Sequence, residues 1–149
     1  MDDVRTFRED LGGYCLEDLS VGMSARYART VTEADIVLFA GVSGDCNPVH
    51  MNEIYASSTI FKGRIVHGML SASFLSTAIA SKLPGPGSIY LSQNLKFRAP
   101  VRIGDTVEAR VTVTDIIAEK CRVALKTTCS VGDTVVIDGD ALVMVPTRQ

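Results

Sequence analysis

Three polar side chains lie within six positions of one another: Asp45 and His50, which can exchange protons, and Asn47, which can form hydrogen bonds. A carboxylate and an imidazole held around one water molecule can act together as general base and general acid. The Asn47 amide offers both a donor and an acceptor, so it can orient the imidazole or the backbone. Gly44 and Pro48 predict a shaped loop here rather than a helix or strand. An alternative stays open, in which the three residues only make turn hydrogen bonds and pack.

A second candidate feature is Gly68, which stands at the start of a predicted helix over residues 68–83. The first N–H groups of a helix have no partner within it and lie at the positive end of its dipole. They can bind a developing oxyanion such as an enolate. The alternative is an ordinary glycine cap before a core helix. Apolar or small residues cover every side of this helix, so we expect it to be buried nearly all round.

Other kinds of site have weaker support. Asp45, His50 and His67 offer two imidazoles and a carboxylate, which is a known ligand set for metals. The sequence has no HExxH or His-x-His spacing and no second acidic cluster, so we expect no metal. Neither Ser43 nor Ser71 lies in the G-x-S-x-G pattern of a serine nucleophile, which argues against that chemistry.

Composition narrows the classes of protein. A length of 149 residues suits one domain. The net charge of −2 gives no basic field for nucleic acid. No apolar run is long enough for a membrane span, and the first residues are too polar for a secretory signal. The four cysteines are scattered, which favours a reducing compartment. We therefore expect a cytoplasmic protein with no nucleic-acid or membrane partner.

The elements that would position these residues can also be predicted. Residues 23–31 have the composition of a strand, and Thr32 followed by acids marks a helix start, with Gly41 at its end. From residue 89 to 145 the apolar pattern alternates with a period of two, broken by short turns. This predicts four adjacent strands in an antiparallel meander. An antiparallel sheet with one buried helix across it is an α+β architecture.

Two motifs resemble a known family. The segment SGDCNPVH at residues 43–50 and the segment IVHGML at 65–70 are similar to those of the MaoC-like (R)-specific enoyl-CoA hydratases. The likeness continues through residues 87–91 and 97–105. Within that family, it is nearest to the short single-domain hydratases that feed polyhydroxyalkanoate synthesis. It begins near residue 18, so we expect an N-terminal extension over 1–17 and one MaoC-like hotdog domain over 18–149.

The resemblance implies a hotdog fold, in which an antiparallel sheet wraps a long central helix. It implies a lyase of fatty acid metabolism that hydrates trans-2-enoyl-CoA to (R)-3-hydroxyacyl-CoA. Coenzyme A is then part of the substrate, and no cofactor is needed. It also implies a homodimer or higher homo-oligomer. The implied catalytic residues are Asp45 and His50, and the implied substrate-binding residues are Asn47, Gly68, Ser76 and Ile79.

Three other functions remain open on the same fold. A 3-hydroxyacyl-ACP dehydratase would run the reverse reaction on a carrier-protein substrate. A hotdog thioesterase would release a free thiol. A non-catalytic module would only bind acyl thioesters or mediate dimerisation. The presence of Asp45, Asn47 and His50 together argues against the last, because binding alone does not require all three.

Overall fold

The computed structural model describes residues 11–148, in which one antiparallel sheet of five strands packs against one long helix. The strand order is β1-β3-β4-β5-β2. The strands are β1 (Ser24–Thr30), β2 (Ile89–Phe97), β3 (Thr106–Ile117), β4 (Arg122–Val131) and β5 (Thr134–Met144). The helices are α1 (Glu33–Ser43), α2 (Pro48–Met51), α3 (Glu53–Ser57) and α4 (Gly68–Ser81). The α+β prediction is therefore confirmed.

Helix α1 begins as predicted and ends later than predicted. The Thr32 hydroxyl accepts from the Asp35 N–H at 3.3 Å, and the Asp35 carboxylate accepts from the Thr32 N–H at 2.9 Å, which forms a capping box. The predicted end at Gly41 is wrong. The helix ends at Gly44, whose φ of +79° is left-handed. Glycine takes that conformation without steric cost, so the helix ends at the glycine where the chain turns.

The long helix α4 forms one side of the core. Its residues Leu75, Ala78 and Ile79 are almost fully buried, as are Val107 and Val111 of the facing strand β3. Burial of these apolar side chains in one cluster stabilises the packing of the helix on the sheet.

One side of α4 is not buried within the chain, so the prediction of burial all round is wrong for a single copy. The exposed residues recur at intervals of four, three and four, which places them on one helix face. We call this face the α4 stripe; it comprises Met69, Ser73, Ser76 and Ala80.

The predicted four-strand meander is correct only for β3, β4 and β5. Strand β2 pairs instead with β5, from Ile89 opposite Met144 to Phe97 opposite Ile137, and so lies at the sheet edge. Gly139 permits this pairing, because a Cβ there would lie 1.9 Å from the Asn94 carbonyl oxygen. Alternation of apolar residues predicts that a segment is a strand, but it does not specify the partner strand.

The predicted N-terminal extension is described only from residue 11, and residues 1–10 lie outside the described part. Leu16 and Leu19 are buried in the core. The Tyr14 N–H donates to the Pro84 carbonyl, and the Leu16 N–H donates to the Pro146 carbonyl, both at 2.9 Å. Residues 14–19 are thus attached to the domain. Over residues 11–148, no helix has both the length and the apolar character that a membrane crossing requires.

Candidate active site

Asp45 and Asn47 lie in the short connection between α1 and α2. The Asn47 N–H donates to the Asp45 carboxylate at 3.2 Å, and the Asn47 side-chain oxygen accepts from the Val49 N–H at 3.1 Å. Asn47 therefore caps α2 and also holds the Asp45 carboxylate. The predicted loop is correct for these residues. It is wrong for His50, which lies within α2, because Pro48 at the first helical position favours a helix.

His50 is held in one tautomer. Its side chain is only 8% exposed, and its Nδ1 lies 2.8 Å from the Ile65 carbonyl oxygen. Since a carbonyl only accepts, Nδ1 carries the proton and donates, which leaves Nε2 as an acceptor. Burial lowers the pKa of His50 below its ordinary value, although the hydrogen bond to Ile65 opposes this. The ring is therefore neutral near pH 7, as a general base requires.

His67 joins the Asp45 segment to α4. Its Nε2 donates to the Asp45 backbone carbonyl at 2.9 Å, and its ring lies 4.0 Å from the His50 ring, centroid to centroid. His67 is 1% exposed and also contacts Phe39. The sequence suggested His67 only as a metal ligand. No sequence motif indicates that its ring would bind the Asp45 backbone carbonyl.

Arg64 is a second positioning residue that the sequence did not single out. Its Nε donates to the His50 carbonyl at 2.6 Å. Its two terminal nitrogens donate to the Glu33 carboxylate at 3.1 and 2.9 Å. One planar guanidinium thus ties α2 to the first turn of α1. Sequence order gives no hint of this, because Glu33 lies 31 positions before Arg64.

A cavity of about 450 Å³ opens beside Asp45, and its lining is mostly apolar. Its lining residues are Asp45, Phe61, Ile65, Val66, Gly68, Met69, Ser71, Phe97, Arg98, Ala99, Pro100, Val101 and Ile137. Gly68 is the first residue of α4, after the cap His67. A Cβ at Gly68 would lie 2.6 Å from Cε1 of Phe97, so only glycine fits without a shift. The cavity therefore combines a carboxylate with the N-terminus of a helix.

Comparison with known proteins identifies the family. Residues 19–135 match the MaoC like domain. The chain belongs to the MaoC-like domain family. This confirms the family predicted from the two motifs, and the match covers both of them.

Relatives of this MaoC-like domain include well-matched enzymes and solved structures. An (R)-specific enoyl-CoA hydratase of Rhodospirillum rubrum is 57% identical over 140 residues, which are 94% of this chain and 97% of that protein. An unliganded R-hydratase from Pseudomonas aeruginosa is 44% identical, with a TM-score of 0.86, over 91% of this chain and 88% of that one. An R-hydratase from Aeromonas caviae that is involved in PHA biosynthesis is 40% identical, with a TM-score of 0.84, over 87% of this chain and 99% of that one. The predicted hotdog fold is confirmed.

The remaining predicted site residues lie elsewhere in this MaoC-like domain. Ser76 is exposed on the α4 stripe. Ile79 lies on the opposite, core side of the same helix and is 1% exposed. Neither lines the cavity beside Asp45, and neither does Asn47; the predicted catalytic residue His50 is not among the lining residues either. Their substrate-binding roles stay predictions.

Among the described residues, Asp45, His50 and His67 also form a group that could hold a metal ion. One ligand atom from each lies within 4.8 Å of the others. His50 Nδ1 and His67 Nε2 already contact backbone carbonyls, and Asp45 Oδ1 accepts from the Asn47 N–H, so the remaining donors are the second carboxylate oxygen and the other two ring nitrogens. This set fits a metal ion, and it fits equally a water molecule between an acid and a base. The absence of a cofactor stays a prediction.

Proposed function

We propose that this protein hydrates trans-2-enoyl-CoA to (R)-3-hydroxyacyl-CoA with a water activated by Asp45 and His50. The observation that carries the proposal is the fixed tautomer of His50, which leaves Nε2 as an acceptor on a residue that groups with Asp45 and His67. The relatives named as (R)-specific hydratases, over nearly the whole chain, support the substrate class and the stereochemistry.

The chemistry follows from the electronics of the thioester. The carbonyl withdraws charge from C3 of the enoyl group, so the water oxygen bonds to C3 as His50 Nε2 accepts one water proton. Asp45 orients the water through a further hydrogen bond. The electron pair of the double bond moves to the enolate, and the N–H of Gly68 stabilises its oxygen. The proton held on His50 Nε2 is then delivered to C2 as its N–H bond breaks, which returns His50 to its neutral form and restores the thioester carbonyl.

The mostly apolar cavity supports a thioester with a hydrocarbon portion. By analogy with the Aeromonas caviae enzyme, we place the product among precursors of polyhydroxyalkanoate. We propose that the reaction needs no redox cofactor, since water addition to an activated double bond moves no electrons between substrates, and that Asp45 and His50 activate the water without a metal. The thiols of Cys46, Cys121 and Cys129 are free, which supports a cytoplasmic location.

A homodimer is part of the proposal. The α4 stripe is exposed, and β2, at the sheet edge, exposes Ile89, Leu91 and Phe97. A second copy would cover both, which removes an unpaired strand edge from water. Light scattering after size-exclusion chromatography measures the mass directly. A monomer at micromolar concentration would contradict this part of the proposal.

The decisive experiment follows loss of the enoyl absorbance of crotonyl-CoA, with chiral analysis of the product. We expect (R)-3-hydroxybutyryl-CoA. The matching carrier-protein thioester, tested in parallel, distinguishes the dehydratase alternative by its higher rate. Release of free thiol without a hydroxyacyl product would indicate a thioesterase. Absence of any turnover by folded protein would refute the catalytic proposal and leave the binding module.

A further inference from the structure

Ser71 has an unexplained hydroxyl in the wall of the cavity. The residue lies one turn into α4 and is 1% exposed. Over residues 11–148, its Oγ has no hydrogen-bond partner, although the side chain lines the cavity. A buried hydroxyl without a partner costs stability, so such a group calls for an explanation.

The usual explanation for a serine in a helix does not apply to Ser71. Hydroxyls within helices commonly donate to a carbonyl three or four residues earlier. Ser73 does so toward the Leu70 carbonyl at 2.5 Å, and Thr77 toward the Ser73 carbonyl at 3.5 Å. The Ser71 hydroxyl makes no such bond in the same helix. Its donor therefore remains available to a molecule in the cavity.

The position of Ser71 relative to Gly68 indicates what that molecule presents. Residues three apart share one face of a helix, and helical side chains lean toward the N-terminus. The Ser71 hydroxyl thus leans toward the turn that begins with Gly68, and both residues line one cavity. The N–H of Gly68 belongs to the first turn, where backbone donors have no helical partner. Two donors directed at one space suit one oxygen atom with two lone pairs.

We propose that Ser71 Oγ is the second hydrogen-bond donor to the thioester oxygen, beside the Gly68 N–H. This inference rests on the proposed function, because it assigns the oxyanion that forms during water addition. The oxygen gains negative charge as water bonds to C3, and both hydrogen bonds strengthen at that moment. No proton leaves Ser71, since the hydroxyl only donates a hydrogen bond.

The variant Ser71→Ala tests this, with Ser81→Ala as the matched control at the exposed end of the same helix, outside the α4 stripe. Removal of one oxyanion donor lowers kcat by about 10²-fold. We expect that loss for Ser71→Ala with little change in KM, because the bond strengthens mainly in the transition state. The melting temperature should hold or rise, because an unpaired buried hydroxyl is removed. Ser81→Ala should retain the wild-type kcat.

A spectroscopic readout separates binding of the oxygen from a structural role. Butyryl-CoA lacks the double bond and cannot be hydrated, so its isotope-labelled carbonyl can be observed in the bound state by infrared spectroscopy. A lost hydrogen bond raises the stretching frequency of the carbonyl, and we expect that rise in Ser71→Ala and not in Ser81→Ala. An unchanged frequency, or a kcat within about threefold of wild type, would overturn the role of Ser71. Failure of the wild type to hydrate crotonyl-CoA would instead overturn the proposed function.

Discussion

The substitution Gly68→Ala tests how closely a substrate must approach the first turn of α4. The added Cβ would lie 2.6 Å from Cε1 and 2.8 Å from Cδ1 of Phe97. Ordinary contact begins at 3.4 Å, so the ring must move by about 0.8 Å. Phe97 is 54% exposed within one copy of the chain, so its ring is not locked in the core and can shift by that distance. We therefore expect only a small loss of stability, at the lower end of the ~1–3 kcal/mol typical of overpacking.

The effect on catalysis should be larger than the effect on stability. The new methyl group occupies the space beside the N–H that stabilises the enolate, and it displaces the cavity wall at Phe97. A displacement near 1 Å of a reacting group can cost about 10²-fold in rate. Loss of one oxyanion donor has a similar effect of about 10²–10³-fold. We expect kcat for crotonyl-CoA to fall by about 10²-fold, with the fold retained.

Gly41→Ala is the matched control for this measurement. A Cβ at Gly41 would meet nothing within 4 Å, and the residue lies inside helix α1. Alanine there should raise stability by up to ~1 kcal/mol and leave the rate unchanged. Circular dichroism melts and steady-state kinetics on both variants complete the test. A folded Gly68→Ala protein with the wild-type kcat would refute the assignment of the α4 N-terminus as the oxyanion site.

Further predictions concern His50, the residue that positions it and the candidate metal group. Because burial lowers the pKa of His50, kcat/KM should stay high down to and below pH 6.5 and fall as the pH drops through that lowered pKa. The unfolded chain binds a proton on His50 near pH 6.5 while the native protein does not, so the free energy of unfolding should decline as the pH falls below about 6.5. Urea titrations at several pH values measure this slope, which His50→Gln should reduce; an unchanged slope would contradict it. Arg64→Lys keeps a charge but loses the planar fork to His50 and Glu33, so kcat should fall by about tenfold; a wild-type kcat would exclude the positioning role. Dialysis against EDTA should leave crotonyl-CoA hydration unchanged, and loss of activity with recovery on added Zn²⁺ would support a metal at the Asp45 cluster instead.

The sequence predicted the elements of this fold better than their arrangement. Composition identified β1 and periodicity identified the other four strands, and Thr32 followed by acidic residues located the start of α1. The partner of β2 was missed because alternation reports which face is buried and carries no information about which neighbour a strand pairs with. The end of α1 was misplaced because two glycines were available and only Gly44 takes the left-handed conformation.

For the site, too, the sequence identified some of the residues and not their arrangement. Asp45, Asn47 and His50 could be selected from the sequence because their spacing is short and their chemistry is distinctive. The groups that hold them could not, since Arg64 and His67 act through backbone carbonyls far away in the chain. Ser71 was considered only as a nucleophile and set aside. Its burial and missing partner are properties of the folded chain and have no counterpart in a motif.

The central claim is that Asp45 and His50 activate water together. It is tested most directly by the rate of crotonyl-CoA hydration in Asp45→Asn and His50→Gln, beside Asp133→Asn as a control in an exposed turn. We predict that each site variant stays folded and loses at least ~10²-fold in kcat, while the control keeps the wild-type rate. Near wild-type hydration by both folded site variants would contradict the account.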